Sequence, residues 1–89
     1  WFSVPAPRTI YRGIANLQSG RLEAAQQDYE ALQKLLPNYH AVYFGLGEIA
    51  LRRNDKPAAL RHFEIYLKFG RAGSAEYQIV QQKVQQLKS

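Results

Sequence analysis

The stretch GIANLQSGRLEAAQQDYEALQK at residues 13–34 recurs in outline as GEIALRRNDKPAALRHFEIYLK at residues 47–68. Sliding the chain by 34 residues aligns small and aromatic positions alike, as in the pairs Gly13 and Gly47, Ala25 and Ala59, and Tyr29 and Phe63. A fixed period of 34 residues is typical of helix–turn–helix repeats that stack side by side. One such unit cannot bury its apolar face alone, so the sequence predicts a core shared between neighbouring repeats.

Helical periodicity accounts for nearly all of the chain after residue 7. Apolar residues recur at three- and four-residue steps, which places them on one helical face, as in Leu22, Ala25, Tyr29 and Leu32. Helices are expected at residues 8–19, 22–35 and 40–53, then from an Asp55 cap to Gly70 and from a Ser74 cap to Lys88. Strand-type alternation is absent from the sequence. The expected fold class is therefore all-α, with five helices.

Glycines mark two kinds of position in this pattern. Gly20 follows the first predicted helix and suits a left-handed C-terminal cap. Gly45 and Gly47 lie inside the third predicted helix, which is apolar on nearly every side. Each glycine costs a helix about 1 kcal/mol relative to alanine. The pair therefore predicts close backbone approach of an adjacent helix to a buried, central third helix.

Composition limits the classes of function. The chain has 89 residues, a net charge of +5 and no cysteine, which excludes disulfides, a thiol nucleophile and a cysteine metal site. No apolar run is long enough for membrane insertion, and no signal peptide is visible. The chain starts at Trp1 and lacks methionine, so it reads as a segment of a longer protein. Cytoplasmic and periplasmic locations fit equally well.

The basic residues are scattered, which makes nucleic-acid binding unlikely. A clustered basic face is the usual requirement. The one candidate patch surrounds a single turn and consists of Arg52, Arg53, Lys56 and Arg61. A solvated, slightly basic surface is the favoured interpretation.

No catalytic constellation is visible in the sequence. His40 and His62 are 22 residues apart and read as surface or helix-terminal histidines. The seven acidic residues are scattered and suit solvated helix faces. We therefore expect no enzyme activity, no cofactor and no metal.

At this level the chain resembles the tetratricopeptide repeat family. The first repeat has the family's small, aromatic and proline positions at Gly13, Gly20, Ala25, Tyr29 and Pro37. The second has Tyr43, Leu46, Gly47, Ala59 and Phe63. The resemblance implies a right-handed superhelical stack of antiparallel helix pairs. It divides the chain into an extended segment (1–7), two repeats (8–39 and 40–73) and a capping helix (74–89).

The first repeat departs further from the family pattern than the second. Arg12 stands where the family prefers leucine and Thr9 where it prefers a large aromatic residue. Asn16 and Ala50 replace a large apolar residue, and Arg71 replaces a closing proline. Two repeats are also fewer than the roughly three that a stable stack usually needs. The first helix is thus expected to be an edge, covered by an upstream repeat, by residues 1–7 or by a second copy of the chain.

In this family the first helix of each pair lines a concave groove. The resemblance places the following residues in that groove: Ile10, Ile14, Leu17, Phe44, Glu48, Leu51, Arg52, Gln78 and Gln82. Relatives that bind C-terminal carboxylates use lysine, asparagine and arginine at positions that include Ile10, Ile14 and Gln78 here, so no carboxylate clamp is expected.

The implied function is a protein-interaction module. An apolar groove suits an amphipathic helix or an extended apolar peptide, with Glu48 and Arg52 setting its orientation. The alternative is a structural or oligomerisation domain of a larger enzyme or assembly factor, whose other parts cover the groove. Trp1 and Phe2 are large apolar residues on a stiff tether that contains Pro5 and Pro7. They predict packing into the groove of the same chain, or self-association through the groove of a second copy.

Overall fold

The structure is a computed structural model that describes residues 8–89, and it places them in five α-helices without a β-strand. The helices are α1 (Arg8–Gln18), α2 (Leu22–Leu35), α3 (His40–Arg52), α4 (Lys56–Phe69) and α5 (Ala75–Lys88). The predicted all-α class and the five helices are confirmed over this range. The predicted extended segment at 1–7 lies outside the described residues.

Local capping chemistry sets most helix ends where the sequence predicted them. Gly20 has a φ of 84°, in the left-handed region that suits the end of α1. Asp55 accepts a 3.2 Å hydrogen bond from the Ala58 N–H, and Ser74 accepts one of 3.1 Å from the Tyr77 N–H. α1 and α3 each end one residue earlier than predicted. After α3 the chain turns at Asn54, whose φ of 60° is incompatible with a continuing helix.

The core runs through the middle of the helix array. α3 packs against both α2 and α4, and α1 contacts α3 as well as α2. The most deeply buried side chains come from several helices and include Leu32, Val42, Phe63, Tyr66 and Val80. The prediction that α3 is a buried central helix is therefore confirmed. The superhelical handedness stays a prediction.

The ring of Tyr29 lies between two glycines on different helices. A Cβ added to Gly13 on α1 would lie 3.1 Å from Tyr29 Cε2, on one edge of the ring. A Cβ added to Gly45 on α3 would lie 2.7 Å from Tyr29 Cδ1, on the other edge. The predicted close approach at Gly45 is thus made by an aromatic side chain of α2 and not by the backbone of a helix. Glycine is needed because the ring fills the space of a side chain.

The second helix pair repeats this contact. A Cβ added to Gly47 on α3 would lie 2.7 Å from Cδ1 of Phe63 on α4. Gly47 and Phe63 are each 34 residues after Gly13 and Tyr29. The internal sequence period therefore corresponds to a repeated three-dimensional contact.

A polar cluster joins α1 to α2 where the second repeat has apolar and aromatic residues. Asp28 is only 6% exposed and accepts hydrogen bonds from Arg12 Nη2 at 2.7 Å and from Asn16 Nδ2 at 2.9 Å. A buried carboxylate is tolerated only when it is paired and hydrogen-bonded. Arg12 and Asn16, which depart from the family pattern, are thus explained by a shared partner. The positions one period later hold Leu46, Ala50 and His62.

Replacing Gly45 by alanine is expected to lower the free energy of unfolding by about 1–3 kcal/mol, the usual cost of overpacking a core. The new methyl group would overlap the Tyr29 ring. In a Tyr29→Val background the same change should instead raise stability by up to about 1 kcal/mol, because only the helix propensity of alanine then acts. Urea unfolding followed by circular dichroism measures both effects. An equal loss in the two backgrounds would contradict the contact.

Candidate functional site

A half-open cavity of about 320 Å³ lies between α1 and α3, and it is called the α1–α3 cavity below. Its apolar lining consists of Ile10, Ile14, Leu17, Tyr29, Ala41 and Phe44. Its polar lining consists of Gln18, Glu48, Arg52 and Glu76. The volume falls in the range of about 300–1,000 Å³ that is usual for ligand pockets.

The α1 wall follows from helical spacing. Ile10, Ile14 and Leu17 are separated by four and three residues, so they share one face of α1. Ile10 and Leu17 are buried against the rest of the fold, whereas Ile14 is 39% exposed. Ile14 is therefore the apolar side chain on this wall that is most accessible to an incoming group.

The α3 wall is held rigidly by aromatic packing from behind. The ring of Phe44 meets Phe63 and Tyr66 edge-on, with centroid distances of 6.3 and 6.0 Å. Edge-to-face pairs at this distance are favourable beyond the area they bury. Phe63 and Tyr66 are themselves almost fully buried on α4. Phe44 is thus positioned before any ligand arrives.

The charged groups at the cavity already have partners within the chain. Glu48 forms a 3.2 Å ion pair with Lys83 of α5. Arg52 donates a hydrogen bond to the Leu17 carbonyl oxygen in the last turn of α1. Such a carbonyl has no partner within its own helix, so Arg52 acts as a C-terminal cap for α1. Both residues hold helices together, and their predicted role in orienting a ligand stays a prediction.

Glu76 reaches the cavity from α5, and it was missed by sequence reasoning. Its Oε1 accepts a 2.7 Å hydrogen bond from the Tyr66 hydroxyl. Burial, followed by this hydrogen bond, raises the pKa of Tyr66. Burial, with smaller contributions from Asp28 and Glu76, also raises the pKa of Tyr29 to about 12. Both phenols in this region are therefore neutral at physiological pH.

Three of the predicted groove residues do not line the cavity. Leu51 is half-buried against the core, one residue before Arg52. Gln78 and Gln82 are exposed on α5. The other six, namely Ile10, Ile14, Leu17, Phe44, Glu48 and Arg52, come together at this one place. Tyr29 was assigned to the repeat framework, although its position between two glycine-bearing helices also brings it to the cavity.

A second, smaller cavity of about 150 Å³ lies among α2, α3 and α4, and it is called the His62 cavity. It is lined by Gln26, Glu30, Gln33, Leu46, Ile49, Ala50, Arg53, Asp55, Ala58 and His62. His62 is half-buried, contrary to the expectation of a surface or terminal histidine. Its Nδ1 is buried and has no hydrogen-bond partner among residues 8–89. Burial, followed by repulsion from Arg61, lowers the pKa of His62 despite the opposing effects of Asp55 and Glu30.

Arg52 and Arg53 separate although they are adjacent in sequence. Arg52 lines the α1–α3 cavity, whereas Arg53 lines the His62 cavity beside Glu30. Successive helical residues point about 100° apart, and Arg53 directly follows α3. The candidate basic patch is therefore divided between two cavities.

Other kinds of site were searched for in the described part of the chain. Among residues 8–89, no group of three or more histidine, cysteine, aspartate or glutamate side chains could hold a metal ion. None of the helices α1 to α5 is long and apolar enough to cross a membrane. The most developed concave apolar feature is the α1–α3 cavity.

Comparisons with protein-family models, with curated proteins and with solved structures gave no match. The resemblance to tetratricopeptide repeats therefore depends on the internal period and on the residues that carry it.

We expect the free energy of unfolding to decrease when the pH falls below 6.5, in part because of His62. A histidine whose folded-state pKa lies below its ordinary value of 6.5 stabilises the fold above that pH and loses this contribution as the pH falls through the folded-state value. The His62→Gln variant should show a smaller decrease, and His40→Gln is its matched control. Proton NMR titration checks the premise directly. An imidazole of His62 that titrates at or above 6.5 in the folded protein would refute it.

Proposed function

We propose that this chain is a non-catalytic, tetratricopeptide-like interaction module that binds an apolar peptide or helix of a partner protein. The observation that carries the proposal is the α1–α3 cavity, with Ile14 39% exposed at its edge. An apolar concave surface with an accessible aliphatic side chain favours burial of a partner's apolar side chain.

The repeated glycine–aromatic contact supports the tetratricopeptide-like part of the proposal. Gly13 with Tyr29 and Gly47 with Phe63 occupy equivalent places in successive helix pairs. A regular repeat of this kind builds extended concave surfaces in helical solenoids. The right-handed superhelix belongs to the same proposal.

Recognition in this cavity depends mainly on apolar burial. The ion pair of Glu48 with Lys83 and the bond of Arg52 to the Leu17 carbonyl leave these charges committed to the fold. A ligand that used either charge would have to break a contact between helices. Shape and apolar area should therefore determine affinity, and salt should have a weak effect.

A structural or oligomerisation domain is the second candidate. The observation that favours it is apolar exposure away from the cavity, because Leu35 is 71% exposed on α2 and Tyr11 is 62% exposed on α1. Neither residue lines the α1–α3 cavity. Light scattering separates the two candidates, since a monomer with an open cavity fits an interaction module and a tight dimer that depends on Leu35 and Tyr11 fits assembly.

The test of the interaction module is selection of binders from a random peptide library on the whole chain. Selected peptides should carry bulky apolar residues, and Ile14→Glu should weaken their binding by about tenfold or more, the effect of losing about 1.4 kcal/mol at a hot spot. The matched control is Ile79→Glu, because Ile79 is 47% exposed on α5 and does not line the cavity. Circular dichroism verifies that both variants fold.

The control should bind as the unaltered chain does. Peptides that bind the Ile14→Glu variant and the unaltered chain equally well would place the binding surface elsewhere and contradict the proposal. Peptides without large apolar residues would contradict it as well.

A further inference from the structure

The α1–α3 cavity opens beside the point at which residues 1–7 join the fold. α1 begins at Arg8, and Ile10 in its first turn is part of the cavity wall. α1 has 11 residues and is therefore about 16 Å long. Seven extended residues reach at most about 25 Å. A segment that returns along α1 can thus reach any part of the cavity.

The composition of residues 1–7 matches the lining of this cavity. The sequence WFSVPAP contains tryptophan, phenylalanine and valine, and it has no charged side chain. It can therefore lie beside Glu48 and Arg52 without an unfavourable charge contact. Pro5 and Pro7 restrict the backbone, so less conformational entropy is lost when the segment is ordered.

Glu76 gives a reason for tryptophan in particular. This carboxylate lies at the cavity and accepts the Tyr66 hydroxyl on Oε1. A carboxylate has two oxygens and can accept further hydrogen bonds. An indole ring in the cavity combines a large apolar face with an N–H that Glu76 can accept.

We propose that the α1–α3 cavity is an intramolecular docking site for Trp1, and that the segment of residues 1–7 competes with a partner peptide for it. The first half of this inference stands on the cavity and the segment, and the competition rests on the proposed function. The segment would then set the threshold that a partner must exceed.

Attachment to α1 favours the segment of the same chain over that of a second copy. A short tether gives an effective concentration in the millimolar range. At micromolar protein concentrations the chain's own segment therefore fills the cavity first. Docking is thus expected to be independent of dilution.

Trp1 is the only tryptophan, so its fluorescence reports on docking in the whole chain without a label. The unaltered chain should show blue-shifted emission and a severalfold lower acrylamide quenching constant than Ile14→Glu. The control Ile79→Glu should match the unaltered chain, and circular dichroism should show all three folded. A solvent-exposed Trp1 in the unaltered chain would overturn the proposal. A blue shift that disappears on dilution would also overturn it, because the occupant would then be a second copy.

Trp1→Ser tests competition without altering the cavity. Peptides selected on the α1–α3 cavity should bind this variant severalfold more tightly than the unaltered chain, and equal affinity would overturn the competition. The failures are distinguishable from those of the proposed function. If Trp1 is exposed and peptides still require Ile14, only docking fails, whereas a buried Trp1 with no peptide selected contradicts the interaction module alone.

Discussion

The packing of the Tyr29 ring between Gly13 and Gly45 is the contact on which the rest of the structure depends. One edge of the ring faces α1 and the other faces α3, so a single side chain of α2 sets how close three helices come. Both glycines give up helix propensity, at a cost of about 1 kcal/mol each. The same ring lines the α1–α3 cavity. The spacing of the helices and the shape of the cavity therefore have one physical origin.

Charged groups hold this arrangement together at its margins. Asp28 draws Arg12 onto α2, Glu48 pairs with Lys83, and Arg52 caps the end of α1. Each contact joins two helices that the apolar core already brings together. Their effect on function is indirect, because they leave an apolar surface as the part of the cavity that is open to a ligand.

Helix positions could be predicted from the sequence because local signals determine them. Asp55 and Ser74 cap their helices, and Gly20 terminates one, through contacts within a few residues. Contacts across helices could be predicted only where the period repeats them. Arg12 and Asn16 looked anomalous because their partner, Asp28, is 16 and 12 residues away. For the cavity, the α1 face was readable from spacing. The absence of Leu51 and Gln82 from it, and the presence of Glu76, depend on how α3 and α5 are rotated, which no local signal specifies.

The most direct measurement of the central contact is a nuclear Overhauser spectrum of the Tyr29 ring in solution. The structure predicts cross-peaks from the ring protons to the Hα protons of both Gly13 and Gly45, because opposite edges of the ring face these two residues. Ring protons that show cross-peaks to neither glycine, or to Gly13 alone, would contradict the packing of Tyr29 between α1 and α3.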